Sequence, residues 1–513
     1  MFTTFLPLLL LIPVLLIARK LFTSTNQKIA ISQSSSNSYL PKSYPIIGSL
    51  FEFIKNRGHI LDWTSNIIQA SPSSTFILHR PLGYLHVWTA NPVIVEHILK
   101  TKFSIYHKGN VFTENLKDLL GHGIFNADGQ EWKFQRKVAS NEFNTKSLRK
   151  FIENVVDKEL SNRLIPILSD AAKKGTVLDL QDVLKRFTFD NICQIAFGYD
   201  PEFLSPSFPQ EKFAIAFEQA VQISLQRFMT FFPFVWKLKR FLNIGSERRL
   251  KEAVDQVREF SLTLVRHKKK ELEYQQDQSL PESDLDLLSR FLKSGHVDEH
   301  FVTDIVISFI LAGRDTTSAA LTWFFWLLST NPAAEGEILK EIGRNNEDHS
   351  VFDEVKDMVF THAALSESMR MYPPVPVDTK EAAADDILPD GTKVKKGMRM
   401  TYHPYAMGRS EKIWGEDWPE FRPDRWLQKD PTDEGKWKFV PKDPSAYPVF
   451  QAGPRTCLGK DMAFLQMKRV VAGVLGRFKV IPVMEEGFQP VLVLSLTSIM
   501  KGGLPVRIEE RRA

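Results

Sequence analysis

The residues best suited to chemistry lie in one run near the carboxyl end, Phe450-Gln-Ala-Gly453-Pro-Arg455-Thr-Cys457-Leu-Gly459. Cys457 is one of only two cysteines in a chain of 513 residues. No second thiol lies near it, so a cysteine zinc cage and a dithiol redox pair are both unavailable. Three roles are left: structural, nucleophilic, or lone metal ligand. Glycines on either side permit a tight backbone whose amides approach the sulfur, which stabilises a thiolate and tunes its donation to a metal. Arg455 offers a planar cationic fork suited to a carboxylate. One thiolate, nearby amides and a carboxylate-binding arginine together describe a cradle for haem, which carries two propionates and takes one strong axial donor. The other cysteine, Cys193, sits in the apolar run FDNICQIAF and reads as a small buried hydrophobe.

The run matches F-x-x-G-x-R-x-C-x-G at every fixed position, and so resembles the haem-binding signature of the cytochrome P-450 superfamily. Four further pieces resemble family elements, in the family's order. Trp132-Lys-Phe-Gln-Arg136 is similar to the element that binds a haem propionate. Ala312-Gly-Arg-Asp315-Thr316-Thr317 is similar to the oxygen-activating stretch of the long central helix. Glu367-Ser-Met-Arg370 resembles the E-x-x-R pair, and Phe421-Arg-Pro423-Asp-Arg425-Trp resembles the loop that locks it. The resemblance implies a mainly α fold with small β-sheets around one buried haem b. It implies a cofactor-binding set of Trp132, Arg136, Ala312, Phe450, Arg455, Cys457 and Gly459, with Cys457 as the metal ligand and Lys380 as a further propionate candidate. Asp315 and Thr316 would deliver protons for O–O cleavage, which thiolate donation favours. Small residues at 312 and 313 would leave room for dioxygen. Against that role, a mid-helix Thr316 can instead bond back to the carbonyl four residues earlier. Glu367, Arg370 and Arg425 would form a buried structural network, although an E-x-x-R alone is usually a surface pair.

Elements must position these groups. Ser74 to Thr89 alternates as two strands. Asn91-Pro92 opens a helix through Lys100, with Asn as cap and Pro in the first turn. Helical patterns dominate Ser147 to Phe197 and Lys212 to Val265, and a long apolar helix is predicted over Val302 to Thr330. Phe309, Ala312, Gly313 and Thr316 would then share one helix face. Lys268 to Asp286 is polar and predicts an exposed loop. Beyond Pro374 come short strands such as Thr392 to Val394, one helix after Cys457, and a last strand region near Val491 to Ile499. Arg227 to Phe241 mixes Phe228, Phe231, Phe232, Phe234 and Trp236 with Lys237, Lys239 and Arg240, which fits either a bilayer interface or an internal corner.

Residues 1–18 are apolar and uncharged, and Arg19 and Lys20 follow at once. That predicts an uncleaved membrane anchor over residues 1–20, with the rest of the chain on the cytosolic side. A polar linker follows over 21–40, then a catalytic body over 41–513. A net charge of +5, from 66 basic and 61 acidic residues, is too slight to argue for nucleic acid. The scarcity of cysteine agrees with a reducing compartment.

AGRDTTSAAL (312–321) and PPVPVDTKEA (373–382) most resemble the plant fatty-acid omega-hydroxylases, which oxidise a terminal methyl. Some relatives oxidise a jasmonoyl–amino-acid conjugate instead. The resemblance implies an endoplasmic-reticulum membrane enzyme using dioxygen and electrons from NADPH through a separate reductase. Basic residues such as Lys133, Lys137 and Lys460 would face that partner's acidic surface, unless they are simply solvated. The implied pocket draws on Phe125, Phe309, Val375, Val377, Leu494 and Leu496. Ala312 stands where some animal relatives carry a glutamate that bonds covalently to haem, so dissociable haem is expected. Two other readings are weaker. A lyase or isomerase of lipid hydroperoxides would often lack the acid–Thr pair, and a haem sensor or carrier would have no use for it.

Overall fold

The computed structural model describes residues 39–208, 212–274, 285–295, 298–343, 350–430, 433–485 and 487–511. The anchor and most of the linker expected near the amino terminus lie outside the described residues. Among those described, no helix is long and apolar enough to cross a membrane.

Alternation in the sequence gives the expected hairpin, β1 (Thr75–His79) and β2 (Leu85–Thr89). Three more short strands complete its sheet: β3 (Tyr106–His107), β4 (Asp378–Ala382) and β5 (Arg399–Tyr402). The spatial order is β1-β2-β5-β4-β3. Only β2 and β5 run parallel, pairing His86 with Arg399 and Thr89 with Tyr402. Parallel strands need a crossover connection. Here the connection between β2 and β5 contains most of the helical body.

That body holds α1 (Gly109–Leu120), α2 (Gly129–Ser140), α3 (Leu180–Phe197), α4 (Lys212–Met229), α5 (Pro233–Phe241), α6 (Gly245–Tyr274), α7 (Glu299–Ser329) and α8 (Val359–Met371). The helix after the cysteine loop is α9 (Lys460–Leu475). Asp298 caps α7 by accepting from the His300 amide. At 31 residues, α7 is about 46 Å long. Its sequence is mostly apolar, as suits a largely buried helix, and α3, α6 and α8 pack against it. The hydrophobic interior forms three clusters. One joins α3, α7, α8 and α9, a second joins α1, α4, α6 and α7, and the third lies on the five-stranded sheet.

Three expectations need correction. The predicted 268–286 loop is still helix as far as Tyr274. Lys268 is buried there, and its ammonium pairs with Glu271 (2.7 Å) and Asp286 (3.0 Å), so a polar run stays helical. The last strand is Pro505–Glu510, which pairs with Phe478–Pro482 and Val177–Asp179, while 491–500 holds only two short strands. The Asn91-capped α-helix covers only Pro92–Glu96 before widening into a π-turn over His97–Thr101.

Candidate active site

Cys457 sits on a loop that enters α9, and its own amide donates to the Phe450 carbonyl (2.9 Å). Gly453 adopts φ +65°, and a Cβ there would collide with the Leu99 carbonyl, so the loop presses on backbone only glycine can meet. The Gly459 amide donates to the sulfur. Burial pushes the thiol pKa up, and the Gly459 amide, Arg136 and Lys460 work against that shift. Cys457 keeps open surface, unlike Cys193, which is fully buried in α3.

Around the loop lie cations with few matching carboxylates. From α2, Arg136 Nη2 donates to the Thr456 carbonyl (2.8 Å). Trp132 carries the Arg455 guanidinium over its ring at 4.5 Å. Arg455 also donates to the Ala127 carbonyl (2.8 Å) and pairs with Asp128 (2.6 Å), so a protein carboxylate already takes part of its fork. Phe450 packs at 5.4 Å against Phe464 of α9. Lys380 pairs with Asp378 (2.9 Å), and Lys108 joins the same carboxylate at 3.4 Å. Burial pushes the Lys108 ammonium down to about 7 against the pull of Asp378, and Lys380 and Arg455 add to the fall. Burial opposes ionisation of Asp378, yet Lys108 and Lys380 hold it well below the usual carboxylate range. Lys108 is the residue that sequence reasoning missed. It begins a helix far from any of the five motifs, and only the fold brings it beside Asp378. Four cations, Lys108, Arg136, Lys380 and Arg455, stand against Asp378 and Asp128, and the two unmatched charges fit an additional dianion.

In α7 the run from Val302 to Leu311 is buried, whereas Ala312, Gly313, Asp315 and Thr316 are part-open. Three details bear on the expected roles. A Cβ on Gly313 would lie 2.6 Å from Ile192 of α3, so that glycine serves the α3–α7 contact rather than leaving space for a ligand. The Thr316 hydroxyl does bond back, donating to the Ala312 carbonyl (2.7 Å). Its oxygen keeps acceptor capacity. Asp315 pairs with Arg314 Nε (3.2 Å), which also reaches Glu218 of α4 (3.1 Å). Burial raises the Asp315 pKa, opposed by Arg314 and Lys185.

The structure brings Glu367, Arg370 and Arg425 together in the interior. Glu367 accepts from Arg370 Nε and Nη2 (both 2.8 Å), Arg425 Nε (2.8 Å), Trp426 Nε1 (2.9 Å) and the Arg422 amide (3.0 Å). Arg370 spends its remaining donors on the Gly408 and Glu420 carbonyls. A Cβ on Gly408 would strike the Arg370 carbonyl, a constraint with no signature in the sequence.

The expected pocket residues divide. Phe125, Phe309 and Leu496 pack with the α1–α4–α6–α7 cluster, and Val377 and Leu494 with the sheet cluster. Val375 is half-buried between two buried prolines. The aromatic insert divides between interior and surface. Trp236 is buried beneath Arg227, at 4.4 Å from its ring, while Phe234, Leu238 and Phe241 are exposed on α5. Two surface clefts of about 200 and 300 Å³ share no residue with the site.

Comparison with known proteins agrees with the motifs. The sequence profile described as Cytochrome P-450 matches residues 39–506. Cytochrome P-450 94A2 of Vicia sativa is 62% identical over 96% of this chain and 95% of its own length. Cytochrome P-450 94A1 of the same plant is 60% identical over 92% and 91%. Cytochrome P-450 94B1 of Arabidopsis thaliana is 50% identical, again over 92% and 91%.

Proposed function

The chain belongs to the cytochrome P-450 family, and on that premise we propose that it is a membrane-anchored monooxygenase that hydroxylates the terminal methyl of medium and long fatty acids. The carrying observation is the Cys457 loop, in which an accessible cysteine receives the Gly459 amide and Arg136 bonds the adjacent Thr456 carbonyl. Cys457 would supply the thiolate that holds the iron, because a cationic metal reverses the penalty that burial places on a thiolate. Lys108, Trp132, Arg136, Lys380 and Arg455 would hold the propionates. Haem, when bound, supplies the activation of dioxygen and the insertion of one oxygen atom into a C–H bond.

The chain's own residues govern protons and access. Burial makes the Asp315 carboxyl a readier proton carrier, and Thr316, one residue on, accepts and passes a proton at its hydroxyl oxygen. A lyase or isomerase has no need of this pair. Phe309, Leu496, Val377 and Leu494 supply apolar walls. Ala312 carries no carboxylate to esterify, so the haem is dissociable. Electrons come from NADPH through a separate reductase docking at the exposed Lys133, Lys137 and Lys460. Residues 1–20 anchor the chain in the endoplasmic-reticulum membrane, 21–40 link it, and 41–513 form the cytosolic body. The exposed Phe234, Leu238 and Phe241 of α5 fit the bilayer interface.

The test is a product assay with microsomes carrying this chain and a reductase, supplied with laurate with and without NADPH. NADPH-dependent 12-hydroxylaurate supports the reading. An intact thiolate–CO absorbance band with no laurate product, but with hydroxylation of a jasmonoyl–amino-acid conjugate, transfers the assignment to that substrate.

A further inference from the structure

The five-stranded sheet carries cations on both faces, and only one face is matched by acid. Strand register places Asp378, Lys380 and Tyr402 on the face described above. The opposite face presents His86 of β2 beside Arg399 of β5, with Glu381 of β4 next in the row. Arg80 follows β1 directly, and its charge is felt by both His86 and Arg399.

Neither Arg80 nor Arg399 has an ion pair or side-chain hydrogen bond among the described residues, and Arg399 Nε is buried without a partner. His86 is 2% exposed. Its Nε2 meets Thr401 Oγ1 at 2.7 Å, while its Nδ1 has no partner. Burial lowers the Arg80 pKa to about 10. Burial and the charge of Arg80 together bring Arg399 to about 9, with Glu381 opposing. Two enclosed guanidiniums that repel each other carry a desolvation cost which an anion would lift. Both are nonetheless part-open to solvent, so an anion can reach them.

Apolar groups surround this cation pair. The Phe231 ring lies 5.2 Å from the Arg80 guanidinium and packs edge-on to Phe53 at 4.6 Å. Leu82 and Tyr84 are exposed on the hairpin turn, and Phe51 and Ile54 on the helix Leu50–Asn56, whose lead-in segment touches the hairpin through Ser49 N–H to the His79 carbonyl (2.8 Å) and Leu82 N–H to the Ile46 carbonyl (2.8 Å). A small inorganic anion has no use for such a rim.

We propose that Arg80, Arg399 and His86 form an oxyanion subsite for the head of an amphiphile, either the carboxylate of a single-chain acid or the phosphate of a lipid. The carboxylate source rests on the fatty-acid reading above; the subsite does not.

Calorimetric titration of the full haem-loaded chain with laurate, methyl laurate and lauroyl lysophosphatidate separates the cases. Arg80→Gln and Arg399→Gln are compared with wild type, and Arg80→Lys and Arg399→Lys replace any variant that lacks the thiolate–CO band. If the head is a carboxylate, the variants lose laurate affinity by about tenfold to a hundredfold, the range for charge-assisted hydrogen bonds, while methyl laurate is unchanged. If the head is a phosphate, the same loss falls on lysophosphatidate and spares laurate. Equal affinities of variants and wild type for all three ligands overturn the subsite. A wild type that binds lysophosphatidate through these arginines but no laurate leaves the subsite standing and removes the fatty-acid reading.

Discussion

Replacing Glu367 by Gln tests whether the buried charge network holds the fold. Five donors converge on its two oxygens: three on Oε1 and two on Oε2. A glutamine in either orientation points its own NH2 at two or three of these donors, so at least two bonds become donor against donor. Arg370 is 1% exposed, and it keeps its charge with no carboxylate to answer it. Breaking a buried pair from one side costs about 3–5 kcal/mol, against a typical total of about 5–15 kcal/mol. An E-x-x-R on a helix surface would be worth only about 0.2–0.5 kcal/mol. The two readings differ about tenfold and are easily separated by urea denaturation followed by circular dichroism. Arg248→Gln serves as control, since it breaks an exposed i,i+4 pair with Glu252 at 2.9 Å. Glu367→Gln is expected to lower the denaturation midpoint by the equivalent of about 3–5 kcal/mol, with the control nearly silent. If Glu367→Gln shifted the midpoint no more than Arg248→Gln, the network would not be load-carrying and the argument from burial would be wrong.

Cys457→Ser should abolish the thiolate–CO band of the carbon-monoxide difference spectrum, whereas Cys193→Ser should keep the band and lower the melting temperature. Lys108→Met, which removes one buried cation, should speed haem transfer to an apo-acceptor by about tenfold, the scale of one charge-assisted bond, read by absorbance. Asp315→Asn and Thr316→Val should cut NADPH-driven hydroxylation while leaving the band intact, and Thr316→Ser should restore most of the loss. Burial holds the His403 imidazole at about 3, below its unfolded value of about 6.5. The unfolded chain takes up a proton that the folded chain refuses, so this contribution is full above about 6.5 and falls toward pH 3 at about 1.4 kcal/mol per unit. His403→Gln should therefore flatten the loss of stability between pH 6.5 and 5, measured as urea midpoints.

Much of this was legible because the signals are local. The hairpin over 75–89, the Asn91 cap and the long helix over 299–329 each follow from alternation, capping chemistry or unbroken apolarity within one segment. The pairing of Glu367 with Arg425 was legible for a different reason, since a family motif already encodes the long-range contact. Where the sequence failed, a distant partner decided the outcome. Lys268 looked like a solvated loop residue until Asp286 was placed beside it. Gly313 looked like room for a ligand until Ile192 of α3 filled that side.

The same distinction explains why Lys108 and Arg399 were invisible as a class. Neither lies in a motif, and a lysine or arginine in a short strand or loop reads as a solvated charge. Each becomes significant through the carboxylates available to it once the sheet is assembled. β4 supplies Asp378 to one face and Glu381 to the other, by simple alternation along one strand. Asp378 has two lysines within 3.4 Å and accepts from Tyr402 and Gln451 as well, so its face is a connected network with cations to spare. Glu381 makes no ion pair with Arg399 or Arg80 at salt-bridge distance among the described residues, and the start of α1 covers it at Gly109. Each face therefore holds more positive charge than its own acid can balance, and that surplus makes both faces fit anions the chain does not itself supply.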